Sequence, residues 1–172
     1  MNKIVADILN IGRQEGAQLE IPIEVDIITI LKKWEGDFSL LAHSENKELF
    51  TDFEPKSFMA VLQATLLNQI LQNFLQNALK FTPEGKKIIF QSYLNEVGIV
   101  IEVIDEGCGI DDSVDLFAPF MRQGNKSGVG LGLFLAKSAA EAIGAQISLT
   151  NRQDGTDGTI AQLLLPSKLY CV

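Results

Sequence analysis

Cysteine is nearly missing from this chain. Two copies in 172 residues, Cys108 and Cys171, give neither a disulfide framework nor a metal-ligand spacing. That argues against a small stapled secreted domain and points to a reducing, cytoplasmic compartment. Basic residues are also short, with 14 Lys and Arg against 22 Asp and Glu and a formal net charge of −8. A nucleic-acid surface needs clustered cations, so no nucleic-acid partner is expected. No signal peptide opens the chain and no apolar run is long enough to span a bilayer. An anchor for a membrane-bound parent protein would lie outside these residues. Repeats and low-complexity tracts are absent too. What is present is a 47% apolar composition, enough for one domain with a real core. The abrupt beginning and end read as a piece of something longer.

Hydrophobic periodicity divides the chain into segments. Residues 3–15 carry Ile4, Val5, Ile8, Leu9 and Ile11 on one stripe, with Gly16 to close a helix. Residues 26–47 read as a second amphipathic helix. "ELFTDFE" (48–54) alternates as a strand, Pro55 to Ser57 break it, and 58–81 read as a long third helix. Two strands about a polar turn follow over 86–105. A glycine-rich region runs to Leu131, a helix covers 132–143 with Gly144 as its stop, and 145–166 form a hairpin around an Asp-Gly turn. Strands and helices segregate, so the fold class is α+β, one sheet with helices on one face.

Three places carry possible chemistry. In "NFLQNALKFTP" (73–83), Asn73, Asn77 and Lys80 fall within about 60° of one another around a helix, opposite Ile70, Leu71, Phe74, Leu75 and Ala78. Alone, this line reads first as the solvated face of an amphipathic helix. It also fits a ligand face, because an amide oxygen can coordinate Mg²⁺ and an ammonium can neutralise phosphate. In "GIVIEVIDEGCGI" (98–110), Asp105 shares strand parity with Ile99, Ile101 and Val103, which directs it to the core side. It either braces the following turn or accepts from a planar ligand's amino group, with Gly107 and Gly109 giving backbone access. In "SGVGLGLFLAKSAAEAIG" (127–144), Gly128, Gly130 and Gly132 alternate before a helix. That is either a flexible loop or an anion cradle, and its spacing is neither a dinucleotide fingerprint nor a Walker A loop.

In order, "NFLQNALKF", "DEGCGI", "LFAPFMR" and "GVGLGL" resemble the N, G1, F and G2 boxes of the ATP-binding catalytic domain of sensor histidine kinases. The wider superfamily includes gyrase and heat-shock chaperone ATPases. "DGTDGTIAQLLLP" is similar to the family's last hairpin. Each box alone is weak; four in order, over roughly residues 25–166, are specific. The resemblance implies a two-layer α/β sandwich with a mixed sheet, the Bergerat-type fold, holding ATP between the long helix and a lid. It makes Asn77 the Mg²⁺ ligand, Asn73 the first amide of the box, Lys80 a phosphate contact and Phe81 an aromatic beside the base. Asp105 accepts from the adenine amino group, with Gly107, Gly109 and Ile110 at the base pocket and Thr159 nearby. Gly128, Val129, Gly130, Leu131, Gly132 and Leu133 border the phosphates, and Arg122 reaches the terminal one. Phe117 and Phe120 are similar to the lid's packing anchors.

Two departures stand out: Val129 occupies a position often held by Thr, and the lid between Arg122 and Gly128 is short. A third is larger. The single histidine, His43 in "LLAHSENKEL", lacks the acidic residue that usually follows the family's phosphoacceptor. The resemblance therefore implies that residues 1–17 end an upstream phosphoacceptor hairpin and residues 18–172 form the ATP-binding domain. It also implies a target histidine outside this chain, catalysis through Lys80 and Arg122, a homodimeric parent and a response-regulator partner. A serine kinase or ATPase clamp of the same superfamily, and a non-catalytic signalling module, are the alternatives. Related enzymes that activate water or a hydroxyl carry Glu where this chain has Asn73.

Overall fold

The computed structural model describes residues 21–121 and 130–167. Along the chain run β1 (Ile23–Asp26), α1 (Ile27–Ser44), β2 (Glu48–Phe53), β3 (Met59–Leu62), α2 (Ala64–Phe81), β4 (Lys87–Leu94), β5 (Gly98–Asp105), α3 (Gly132–Ala142), β6 (Gln146–Asn151) and β7 (Thr159–Pro166). The expected helix over residues 3–15 lies outside the described residues.

Alternating apolar residues build a five-stranded sheet in the order β2-β4-β5-β7-β6. β2 and β4 pair in parallel and the remaining neighbours antiparallel, so the sheet is mixed. A parallel pair needs a long crossover, and β3 with α2 supplies it. Ile88 and Phe90 of β4, Ile99, Ile101 and Val103 of β5, and Leu163 and Leu165 of β7 point to one side. There they join Leu67, Ile70, Leu71, Phe74 and Leu75 of α2 in the main core. α1 packs on β2, α2 on β5 and α3 on β6. Trp34 of α1 donates its indole N–H to Asn68 of α2 (2.8 Å). Lys47 reaches the Leu79 carbonyl in the last turn of α2, where a cation complements the helix dipole. The expected α+β class, a mixed sheet layered on helices, is what the chain adopts.

The other side of the sheet is organised differently. Asp52, Gln91, Glu102, Gln162 and Ser148 are successive cross-strand partners and form one polar row across all five strands. Glu102, only 8% exposed, lies at its centre. Its carboxylate accepts from Gln91 Nε2 and Gln162 Nε2 (both 2.8 Å) and from the Tyr93 hydroxyl (3.0 Å). Burial, then the carboxylate it donates to, holds the Tyr93 hydroxyl above the usual phenol range.

Two expectations are corrected. The helix expected over 58–81 is a strand followed by a helix. Met59–Leu62 pairs antiparallel with β1, Ile23 opposite Leu62, and this non-local pairing overrides the local preference of Met, Ala and Leu for helix. The helix expected over 26–47 is shorter at both ends, because Asp26 is its N-cap and Asn46 takes φ 53 just beyond it.

Asp26 also ties distant chain together. Its carboxylate accepts from Ile28 N–H (3.1 Å), Thr29 Oγ1 (3.1 Å), Ser57 Oγ (3.2 Å) and Phe58 N–H (2.9 Å). Burial pushes its pKa up, but the Phe58 N–H and the other donors outweigh that and hold it below the usual carboxylate value. Asp26→Ala is expected to cost about 1–2 kcal/mol at neutral pH, read as a lower denaturant midpoint at unchanged slope. Because the folded pKa is lowered, the ionic part of that stability is present above the ordinary carboxylate range. It disappears as pH falls through the lowered folded value, so the gap between wild type and Asp26→Asn should close in acid. A gap independent of pH would refute the ionic part.

Candidate functional site: a cavity between α2 and α3

The amphipathic periodicity of α2 buries one face and turns the other toward the N-terminus of α3. A cavity of about 370 Å³ opens between them. From α2 come Asn73, Asn77, Lys80 and Phe81; from the end of β5, Asp105; from the loop after it, Gly109 and Ile110. Gly130, Leu131, Gly132 and Leu133 enter from the start of α3, and Thr159 from β7. Twelve residues singled out in the sequence thus meet at one place. Arg122, Gly128 and Val129 lie outside the described residues. Gly107 does not line the cavity as expected. It stands behind Asp105, donating its N–H to Asp105 Oδ1 (2.8 Å).

Asp105 ends β5 at 6% exposure. The same Oδ1 accepts from Thr159 N–H (3.1 Å), and the Arg152 guanidinium lies 3.5 Å from the Asp105 carbonyl oxygen. Burial wins over these donors and the Arg152 charge, so the Asp105 carboxyl titrates above its ordinary value. A buried carboxylate held rigidly at a cavity wall is suited to accept from a ligand's N–H.

On α2, Asn73 Nδ2 donates back to the Gln69 carbonyl (2.8 Å). Asn73 Oδ1 lies against Gly132, where any Cβ would collide with it, so glycine permits α3 to begin this close to α2. The N-cap of α3, Leu131, makes no side-chain cap bond, which leaves this helix end suited to an anion. Asn77 lines the cavity, and its amide makes no hydrogen bond to another of the described residues. Lys80 Nζ lies 5.1 Å from the Phe81 ring centroid. Among the described residues, no group of three or more His, Cys, Asp or Glu could hold a metal alone.

Sequence reasoning missed the apolar wall formed by Leu116, Met121, Leu149 and Ala161. Leu116 and Met121 lie within "LFAPFMR" but had no role assigned to them, and Leu149 and Ala161 come from β6 and β7, where nothing local marks them. Phe117 is partly buried under Lys137 (Nζ 5.5 Å from the ring centroid). Phe120 stays 46% exposed at φ 64, its N–H donating to the Gly130 carbonyl (2.9 Å). His43 is exposed in the last turn of α1.

Residues 63–169, more than half of the chain, match the family described as "Histidine kinase-, DNA gyrase B-, and HSP90-like ATPase". The sensor protein KdpD of Clostridium acetobutylicum is 36% identical over 118 residues, 64% of this chain and 13% of that protein. The sensor protein CreC of Escherichia coli is 26% identical over 170 residues, 96% of this chain and 35% of that protein. The matched part of the chain thus spans only 13% of the length of KdpD and 35% of that of CreC. Among solved structures, the mycobacterial sensor histidine kinase MprB superposes with a TM-score of 0.74 at 20% identity, over 85% of this chain and 97% of that one. Full-length ShkA in complex with AMPPNP gives 0.75 at 25% identity, over 93% of this chain and 34% of that one. The four boxes, the sheet order and these relatives agree: the chain belongs to the histidine kinase-, DNA gyrase B- and HSP90-like ATPases, as an ATP-binding catalytic domain of the sensor histidine kinase kind.

Proposed function

We propose that this domain binds ATP with Mg²⁺ and transfers the terminal phosphoryl group to a histidine on a helical hairpin upstream in the parent protein. The observation that carries the proposal is the convergence of the Asn73/Asn77/Lys80 line, the buried Asp105 and the uncapped start of α3 on one cavity. Asp105 and the glycine loop take the base. The α3 N-terminus, Lys80 and Arg122 take the phosphates. The ligand in the ShkA structure, AMPPNP, is a nucleotide of this class. The residues fit a metal that arrives with the phosphates: a single neutral amide, Asn77, suits a Mg²⁺ ion that keeps phosphate and water ligands. Bound there, Mg²⁺ supplies charge neutralisation of the phosphates.

Transfer breaks the bond between the terminal phosphorus and the ADP oxygen as an N–P bond forms. A neutral imidazole is already nucleophilic and needs less activation than water. That fits an amide, Asn73, where a base is not required. The chain's own contribution is positioning and electrostatics by Lys80 and Arg122. Residues 1–17 close the hairpin, residues 18–172 form the kinase domain, and the parent is a cytoplasmic-facing homodimer that hands its phosphoryl group to a response regulator.

The isolated chain is expected not to label itself with radiolabelled ATP. Proximity of the acceptor supplies much of the rate, and the acceptor is elsewhere. Adding the upstream hairpin in trans should yield slow, acid-labile and base-stable label on its histidine. Acid-labile label on the chain alone that vanishes in His43→Ala would overturn the proposal.

A further inference from the structure

Asn151, the last residue of β6, does not line the cavity, yet its side chain fastens the loop that does. Its Oδ1 accepts from the Ile110 N–H (2.7 Å) and its Nδ2 donates to the Ile110 carbonyl (2.9 Å), with a longer bond to Asp112 Oδ2 (3.2 Å). One amide therefore satisfies both backbone groups of a residue 41 positions away, as a neighbouring strand would. Gly109, at φ 74, makes room for it: a Cβ there would stand 2.5 Å from Asn151 Oδ1. The next residue, Arg152, reaches the other end of the same loop, at the Asp105 carbonyl (3.5 Å) and Glu106 Oε1 (3.9 Å). The segment from Asp105 to Ile110 is thus held at both ends by two consecutive residues.

We infer that Asn151 is a positioning residue for base recognition, acting through Gly109 and Ile110; this rests on the nucleotide reading above. Removing its amide leaves Ile110 N–H and C=O without these partners and frees Gly109 for its other conformations. The base end of the cavity loosens, while Asn73, Asn77 and Lys80 stay fixed on α2.

The test is calorimetric titration of wild type, Asn151→Ala and Asn151→Asp with ATP, GTP, adenosine and inorganic triphosphate, together with hydrogen exchange at the Ile110 amide. Asn151→Ala should lose about tenfold in affinity for both ATP and adenosine, with a reduced ATP-over-GTP ratio and faster Ile110 exchange. Triphosphate affinity should not change. Asn151→Asp keeps the acceptor for the Ile110 N–H but not the donor, and should fall between. A purely structural role would lower thermal stability and leave the ATP-over-GTP ratio at its wild-type value, and that result overturns the inference. Should Asn151→Ala not fold, an unchanged ratio in Asn151→Asp overturns it equally. A wild-type chain that binds no nucleotide removes the function proposal itself. A wild type that discriminates, beside variants that discriminate as well, removes only the role of Asn151.

Discussion

Replacing Asp105 by alanine should lower ATP affinity by about tenfold to a hundredfold and erase the preference for ATP over GTP. A hydrogen bond to a buried charged acceptor contributes about 1.5–3 kcal/mol. Adenine presents an amino group to the carboxylate, whereas guanine presents a carbonyl oxygen, leaving two acceptors facing one another. Wild type should therefore favour ATP at least about tenfold. The preference also acquires a pH dependence. Burial raises the Asp105 pKa in the folded domain, and only the ionised form accepts from both the backbone and the base with full strength. ATP affinity should fall as pH drops through that raised value, while the other carboxylates shown to shift, Asp26, Asp111 and Asp154, shift downward. The same shift acts on stability with the opposite sense from Asp26. The folded state holds this proton more tightly than the unfolded chain, so the favourable contribution is complete below the ordinary carboxylate value. It is lost as pH rises through the folded value. Asp105→Asn should flatten both profiles. Equal affinity for ATP and GTP in wild type, or an acid profile unchanged in Asp105→Asn, would sink this role.

Asn77→Ala should weaken ATP binding by about tenfold in magnesium and change it little in a chelator. The described part of the cavity brings one buried carboxylate, Asp105, already engaged by Gly107 and Thr159, so the metal link falls to a neutral amide. Asn77 lies one helical turn beyond Asn73, whose own amide is committed to Gln69. Titrations with and without magnesium that show the same metal dependence in both proteins would remove Asn77 from the site. Asn73→Ala offers a contrast, since its expected effect is on the approach of α3 rather than on the metal.

Much of this site was legible because helix and strand periods are local. Asn73, Asn77 and Lys80 share a face at any tertiary arrangement, and the parity of Asp105 with Ile99, Ile101 and Val103 fixes its side once one side is buried. Two kinds of information were not local. β1 and β3 are four residues each, too short for periodicity, and form only because they find one another across the intervening α1 and β2. Asn151 likewise reads as a strand-end polar residue until the fold sets it beside Ile110. A sequence signal for it exists only in hindsight: an Asn-Arg pair ending a strand that must lie against a glycine loop.

The polar row on the side of the sheet away from α1, α2 and α3 makes misalignment of the central strand conspicuous to the protein itself. Asp105 and Glu102 are three apart and so face opposite ways. A one-residue slip of β5 would exchange them, driving Glu102 among Ile88, Phe90 and Leu163 while stripping it of Gln91, Tyr93 and Gln162. The mistake that would ruin nucleotide selection would thus also unfold the domain. A chain with the wrong register could not persist as a folded but inactive decoy, so surviving molecules are proofread for function by stability alone.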